Sequence, residues 1–223
     1  MPRSRTEEEP RSRRSRRQQY SAATRQALVD EATRLFTEQG YGATSLDAVV
    51  AAAEVTKGAL YHHFAGKAAV FAEAFDAVET RAAERITAAL DAEDDPWDKA
   101  RAGLAAFLTV VQEPEYRRIV VQDGPAVLGY ERFRESEERS TFACVTDIVR
   151  AVLSSERGLQ ASWAEDEEML ATFARIFFGA LSSAGEAVTT SADPEAAAGR
   201  VEAAIGLIIA GLQALVDDED TRG

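Results

Sequence analysis

The stretch that decides the fold is residues 44–63, Thr44-Ser45-Leu46-Asp47-Ala48-Val49-Val50-Ala51-Ala52-Ala53-Glu54-Val55-Thr56-Lys57-Gly58-Ala59-Leu60-Tyr61-His62-His63. It predicts two short helices joined by a tight bend. Thr44 is a good N-cap for the first helix, and Asp47 places a carboxylate in its first turn. Thr56 can cap the second helix, which buries Leu60 and Phe64. Its other side chains then face outward, namely Thr56, Lys57, Gly58, Tyr61, His62 and His63. Exposed donors, a cation and an aromatic ring on a short helix suit the major groove of DNA, so the pattern predicts a helix-turn-helix.

Charge is divided unevenly along the chain. The 223 residues carry a formal net charge of −13, which by itself argues against nucleic acid. Residues 1–67, however, hold eleven Lys and Arg against eight Asp and Glu, whereas the remainder holds fourteen against thirty. A DNA-reading end on an acidic body shows this division. The acidic body taken alone indicates no more than solubility.

Composition also bounds the cellular setting. The single cysteine, Cys144, excludes an intramolecular disulfide and fits a reducing cytosol. The longest apolar run, 203–216, is too short for a membrane helix of about 20 residues. The N-terminus lacks the apolar segment of a secretory signal. We therefore expect a cytoplasmic protein with no membrane partner.

Helical spacing of apolar residues predicts an all-α chain of about nine helices. Residues 1–20 hold seven arginines against three glutamates and few apolar side chains, which predicts disorder. This segment is either a solvated tail or a basic arm that adds contacts to DNA. A first helix over 22–40 ends at Gly40, and the helix pair follows it. A long helix over 67–90 leads into the body, where a helix over 126–155 is expected.

The last two helices, 164–189 and 194–216, carry more apolar surface than one small bundle must bury. In the second, apolar residues recur in steps of four and three, at Val201, Ile205, Ile208, Leu212 and Leu215. Small residues lie beside them, at Ala203, Gly206, Ala210 and Ala214. The pattern predicts a homodimer through a four-helix interface, two helices from each copy. A core formed wholly within one chain is the alternative.

The N-terminal motifs resemble the tetracycline-repressor (TetR) family of bacterial transcription regulators. The resemblance covers residues 20–81 and rests mainly on the string Val55-Thr56-Lys57-Gly58-Ala59-Leu60-Tyr61-His62-His63-Phe64. Phe36, Gly40-Tyr41 and Lys67 support it, and the body resembles the family more loosely, at Asp123-Gly124-Pro125. The resemblance implies a three-helix DNA-binding domain over 21–81, which follows the basic segment over 1–20. It further implies an effector-binding and dimerisation domain over 82–218, with a tail over 219–223.

Residue by residue, the resemblance implies that Thr44, His63 and Lys67 contact phosphates. It implies that the recognition surface comprises Thr56, Lys57, Gly58, Tyr61 and His62. Within the second helix, Lys57 is the strong partner for guanine. The bend departs from the family pattern, because Glu54 occupies a position that usually holds glycine.

The expected function is a ligand-relieved repressor that binds a palindromic operator as a dimer. Its small-molecule effector would enter the helical body, where the candidate pocket residues are Trp97, Phe107, Tyr130, Phe133, Phe173 and Phe177. The alternative is an all-α binding module or enzyme without a DNA-binding role. Because the body shows no Cys–His pair and no Gly-rich phosphate loop, we expect no enzyme and no cofactor. His62 and His63 point to different helix faces without a third ligand nearby, so we expect no metal.

Overall fold

The computed structural model describes the backbone of residues 9–139, 141–154 and 166–222. Side chains at 9–17, 130, 134, 137–139 and 215–222 lie outside the description. The chain forms two compact units, Met1–Phe75 and Asp76–Gly223. Within the described residues there are ten α-helices, one π-helical segment and no strand. The all-α prediction is confirmed.

Four helices begin in the first unit: α1 (Glu9–Ala43), α2 (Leu46–Ala52), α3 (Lys57–His63) and α4 (Lys67–Asp91), the last of which continues into the second unit. Side chains from all four are buried in this unit. They include Leu28, Val29, Ala32, Leu35, Phe36, Val49, Leu60, Val70, Phe71, Ala74 and Phe75, with Phe64 directly after α3. Leu60 and Phe64 are buried as predicted, and Lys57, Gly58, Tyr61 and His62 face outward, whereas His63, also predicted to face outward, is half-buried.

The first helix starts earlier than its apolar stripe predicted. It begins at Glu9, so residues 9–20 of the expected disordered arm are helical, and residues 1–8 lie outside the description. Arg and Gln are good helix formers, and the sequence has no glycine or proline from residue 11 to 39. Pro10 stands in the first turn, where a missing N–H costs nothing. Local propensity thus extends the helix beyond its apolar face.

Gly40 ends the regular part of α1, as predicted. Its backbone lies at φ 79° and ψ 164°, a conformation that costs glycine little. This kink brings Tyr41 against Phe36 and Phe71, with ring centroids 5.8 and 5.2 Å apart, respectively. Phe36 and Phe71 also meet edge to face at 5.2 Å. Edge-to-face pairs add stability beyond the area they bury, so this aromatic cluster fixes where α2 can start.

The N-cap of α2 is Ser45, not Thr44, and that expectation was wrong. The Ser45 hydroxyl accepts the N–H of Ala48 at 3.1 Å. Thr44 is 2% exposed, and its hydroxyl donates toward the carbonyls of Leu35 at 3.2 Å and Gly40 at 2.9 Å. A buried hydroxyl is stable only with such partners, so Thr44 ties the connection to the end of α1.

The second unit contains the other helices. They are α5 (Pro96–Val111), the π-segment (Tyr116–Asp123), α6 (Gly124–Leu128), α7 (Tyr130–Arg139), α8 (Thr141–Ser154), α9 (Glu167–Thr190) and α10 (Pro194–Arg222). The single helix expected over 126–155 is divided among α6, α7 and α8. Gly129, at φ 78° and ψ 160°, makes the break between α6 and α7. Ser155 falls outside the described residues. Asp193 caps α10, accepting the N–H of Ala196 at 3.0 Å.

Two glycines allow α5 to pack closely within the second unit. A Cβ atom at Gly103 would lie 2.8 Å from a Leu90 methyl group and 3.0 Å from one on Ile148. A Cβ at Gly185 on α9 would lie 3.2 Å from the Phe107 ring. Replacing either hydrogen with a methyl group would force neighbours to shift, so these positions set the distances of α5 from its neighbours.

Glu54, in the bend between α2 and α3, has a φ of 54°. This left-handed backbone costs a non-glycine residue roughly 1–2 kcal/mol. Glu54→Gly should therefore raise the free energy of unfolding by up to about 1 kcal/mol, after the greater freedom of glycine in the unfolded chain is subtracted. Thermal unfolding of the full chain measures this gain.

Glu54→Ala is the matched control, because it removes the carboxylate and keeps the strained backbone. It should show no comparable rise in Tm. A Glu54→Gly protein that melts at or below the wild-type temperature would contradict the strain interpretation.

Candidate nucleic-acid interface and ligand cavity

The outward face of α3 presents the predicted recognition residues together. Thr56, Lys57, Gly58, Tyr61 and His62 are all exposed, and Tyr61 is 61% exposed. Thr56 caps α3 by accepting the N–H of Ala59 at 3.2 Å. A cation, an imidazole and a phenol therefore project from one short, capped helix, which is the arrangement that groove binding uses.

Lys57 forms an ion pair that the sequence analysis did not foresee. Its Nζ lies 2.8 Å from the carboxylate of Asp47 on α2, and both side chains are mostly exposed. The hydrogen bond and the charge of Asp47 raise the pKa of Lys57. The lysine is thus fully charged, but it is held against α2. Any acceptor on DNA must compete with this carboxylate, because an exposed ion pair is weak and exchangeable.

Lys67, at the start of α4, lies over the Tyr41 ring, directly after the kink at Gly40. Its Nζ is 4.3 Å from the centre of the Tyr41 ring and donates to the Gly42 carbonyl at 3.3 Å. A cation over an aromatic face is held electrostatically. The contact keeps a positive charge beside the start of the helix pair, where the predicted phosphate contact requires it.

Thr44 does not share this surface. Its side chain is buried and its hydroxyl is occupied by backbone carbonyls. A phosphate oxygen cannot reach it without opening the connection. The adjacent Ser45, by contrast, is exposed. The order Ser45-Leu46-Asp47 already favours Ser45 as the N-cap of α2, since serine caps a helix slightly better than threonine.

His63 is half-buried at the end of α3. Loss of water around it lowers its pKa below the ordinary 6.5, and the positive charges of His62 and Arg25 lower the pKa further. His63 is therefore a neutral imidazole at pH 7. Arg25 itself lies over the Phe64 ring at 5.2 Å and pairs with Glu73 at 2.6 Å. The sequence does not predict Arg25 as part of this surface, because its partners Phe64 and Glu73 are distant along the chain.

The second unit contains a partly open cavity of about 500 Å³. This volume is in the range of small-molecule sites. Five predicted pocket residues line it, namely Trp97, Phe107, Phe133, Phe173 and Phe177. The sixth, Tyr130, has a side chain outside the description. Side chains from α4, α5, the π-segment, α8, α9 and α10 complete the wall.

Polar groups along this wall are few. They belong to Tyr116, Thr141, Cys144, Ser182 and Glu186, whereas the indole nitrogen of Trp97 is itself buried. Cys144 is buried, and its Sγ lies 3.6 Å from the Thr87 hydroxyl. In the part of the chain that the structure describes, no three His, Cys, Asp or Glu side chains are placed to hold a metal ion. No helix there is long and apolar enough to cross a membrane.

Comparison with protein families matches both parts of the chain. Residues 28–74 match the family described as "Bacterial regulatory proteins, tetR family". Residues 97–212 match "Tetracyclin repressor-like, C-terminal domain". The first match contains α2 and α3, and the second includes most of the residues that line the cavity.

Individual relatives agree with these matches. The transcriptional regulator AcrR of Shigella flexneri is 34% identical over 105 residues, which are 47% of this chain and 49% of AcrR. This chain thus aligns with about half the length of that relative. The Tn10 TetC protein of Escherichia coli is 28% identical over 61% of this chain and 67% of its own.

A solved structure extends the similarity across both units. The crystal structure of a TetR-family regulator from Pectobacterium atrosepticum matches with a TM-score of 0.74 and 29% identity. The match covers 86% of this chain and 95% of that one.

The low pKa of His63 predicts a pH-dependent stability. The unfolded chain takes up a proton near pH 6.5, whereas the folded chain resists it until lower pH. The contribution of His63 to the free energy of unfolding is therefore fully present above pH 6.5. It is lost as the pH falls through the lowered pKa of the folded state. His63→Gln, which does not titrate, should lose less stability between pH 7.5 and 5.5, as measured by thermal unfolding. Equal losses in the two proteins would contradict this assignment.

Proposed function

Because the chain belongs to the TetR family of bacterial regulatory proteins, we propose that it is a ligand-relieved repressor of transcription. It binds a palindromic operator as a homodimer, with one α3 in the major groove of each half-site. A small molecule in the cavity of the second unit releases it. The protein acts in the cytoplasm and has no catalytic role. The observation that carries the proposal is the exposed face of α3.

The DNA surface comprises Thr56, Lys57, Gly58, Tyr61 and His62 at base edges and grooves, with His63 and Lys67 at phosphates. Lys57 supplies the charged donor that guanine accepts in the major groove. Lys67 is already fixed beside Tyr41, so its contact sets register and not sequence. Thr44 does not belong to this DNA surface in our proposal. Its buried hydroxyl holds the connection between α1 and α2.

A second copy of the chain covers the outer face of α9 and α10. Leu207 is 75% exposed, and Ile176 and Ile208, which also line the cavity, are 62% and 53% exposed. The positions of Gly199, Gly206 and Gly211 have open space around them. Small residues beside large apolar ones let helices of two subunits approach closely, and a two-fold axis pairs this face with itself.

The cavity is the effector site in this proposal. Ile86 of α4 lines it, and α4 is one continuous helix that begins at Lys67 in the first unit. A ligand that favours one position of Ile86 therefore acts on the helix that leads to the DNA-binding unit. Release follows when the ligand binds the DNA-free arrangement more tightly than the DNA-bound one.

The test is an electrophoretic shift of the full chain with DNA from around its own gene, over a series of salt concentrations. We expect retardation that is selective over scrambled DNA and weakens as salt rises. Lys57→Ala should lose selectivity. Asp47→Asn, which frees Lys57, should bind scrambled DNA more tightly than the wild type does. Asp30→Asn is the matched control, because it removes the same charge from α1. Absence of selective retardation at every salt concentration would refute DNA recognition.

Leu207→Glu should dissociate the dimer, because four carboxylate oxygens would be buried at the two-fold interface without partners. Analytical ultracentrifugation at micromolar concentration measures this, with an expected fall from dimer to monomer mass. Tyr20→Glu is the control, since Tyr20 is equally exposed at 78% but lies on α1. A Leu207→Glu protein that stays dimeric would place the interface elsewhere.

A further inference from the structure

We propose that the cavity of one chain is an incomplete site for an apolar molecule, and that α9 and α10 of a second copy close it. The inference rests on the proposed function, which treats the cavity as a ligand site and the outer face of α9 and α10 as the dimer interface. It joins the two: the bound molecule is covered by both subunits, so ligand binding and dimer formation strengthen each other.

Within the described residues, the cavity is open on the side of α9 and α10. The residues that line it from α4, α5, the π-segment, α7 and α8 are buried or half-buried. The lining residues that are exposed lie on α9 and α10, apart from one on α6. They are Ile176, Ala180, Ser182 and Glu186 on α9, Ile208 on α10, and Pro125 on α6.

Two of these side chains are large and apolar. Ile176 and Ile208 line the cavity and are nevertheless 62% and 53% exposed. In a single chain, a molecule that contacts them keeps part of its own apolar surface in water. The site therefore lacks a cover at the point where its wall is formed by the proposed dimer face.

Small residues beside these isoleucines leave room for that cover. Ala180 is one helical turn from Ile176, and Gly211, near Ile208 on α10, has open space around it. Helices of a second copy can thus approach closely at this face. In a two-fold dimer the same surfaces meet, so each copy closes the cavity of the other.

The cost of leaving the site open sets the size of the effect. If closure removes roughly 55 Å² more of an apolar ligand from water, affinity rises about tenfold. By linkage, the ligand tightens the dimer by the same factor at each site. A ligand that holds the dimer in one arrangement is compatible with release of DNA, provided that DNA requires another arrangement.

Two variants open the dimer without changing the wall of the cavity. Leu207 and Gly211 lie on α10 and are not lining residues. Leu207→Glu and Gly211→Glu each place a carboxylate on the proposed interface, and both should be monomeric in analytical ultracentrifugation. Gly211→Glu also keeps the helix stable, because glutamate is a better helix former than glycine. Tyr20→Glu on α1 is the matched dimeric control.

Cys144 reports closure without any ligand. It is the single cysteine of the chain, is buried and lines the cavity. With 4,4′-dithiodipyridine, a small neutral disulfide, its thiol forms a mixed disulfide and releases 4-thiopyridone, which absorbance measures. At one fixed pH, both monomeric variants should react several-fold faster than the wild type and Tyr20→Glu, because the reagent enters through the open side. Equal rates in monomers and dimers would overturn the proposal.

Affinity is measured with the neutral fluorescent probe N-phenyl-1-naphthylamine, without DNA. The probe should protect Cys144 in the wild-type dimer, which places it in the cavity, and should bind each monomeric variant at least about tenfold more weakly. Absence of protection in the wild type, or equal affinity for monomer and dimer, would overturn the proposal.

The outcomes separate this inference from the proposed function. A monomer that binds the probe as tightly as the dimer refutes closure alone and leaves the interface in place. A Gly211→Glu or Leu207→Glu protein that stays dimeric refutes the proposed interface, and closure with it. The operator shift reports DNA recognition independently of both.

Discussion

The kink at Gly40 is the constraint on which the DNA-binding unit depends. Only glycine adopts φ 79° with ψ 164° at low cost. The turn brings Tyr41 between Phe36 and Phe71, and the buried Thr44 hydroxyl then closes the connection on the carbonyls of α1. Lys67 covers the outer side of Tyr41. Apolar packing, hydrogen bonding and a cation over a ring all act on the segment 40–44, which fixes the position at which α2 starts.

Fixing the helix pair in this way leaves its electrostatics adjustable. Lys57, the residue that we propose to recognise guanine, pairs with Asp47, so α2 and α3 are coupled through an exposed ion pair. His63 is kept neutral by partial burial and by nearby positive charge. The strained bend at Glu54 lies between α2 and α3. Rigid packing inside the unit and exchangeable charge on its surface suit a domain that must hold its shape and still release DNA.

In the second unit, side chains of α9 and α10 line an apolar cavity. Ile176 and Ile208 are among them and are also exposed, whereas Leu207 is exposed and is not a lining residue. Gly103 and Gly185 bring α5 close to its neighbours, and the indole nitrogen of Trp97 at the start of α5 is buried without a hydrogen-bond partner. The wall of the cavity is mainly apolar, and Glu186 is the charged residue among the described residues that line it.

The sequence by itself determined the helical class, the helix-turn-helix, the end of α1 at Gly40 and the unusual bend at Glu54, because each depends on local backbone preferences and on apolar spacing. It also named five side chains that line the cavity, since large aromatic residues at buried helical positions face inward wherever the helices pack. It misjudged the start of α1, the cap of α2 and the break at Gly129, where several local conformations have similar energies and neighbours decide. Only the tertiary structure could pair Lys57 with Asp47, bury Thr44 and leave the Trp97 N–H without a partner. Those features depend on distances between residues that are far apart along the chain, which no local pattern encodes.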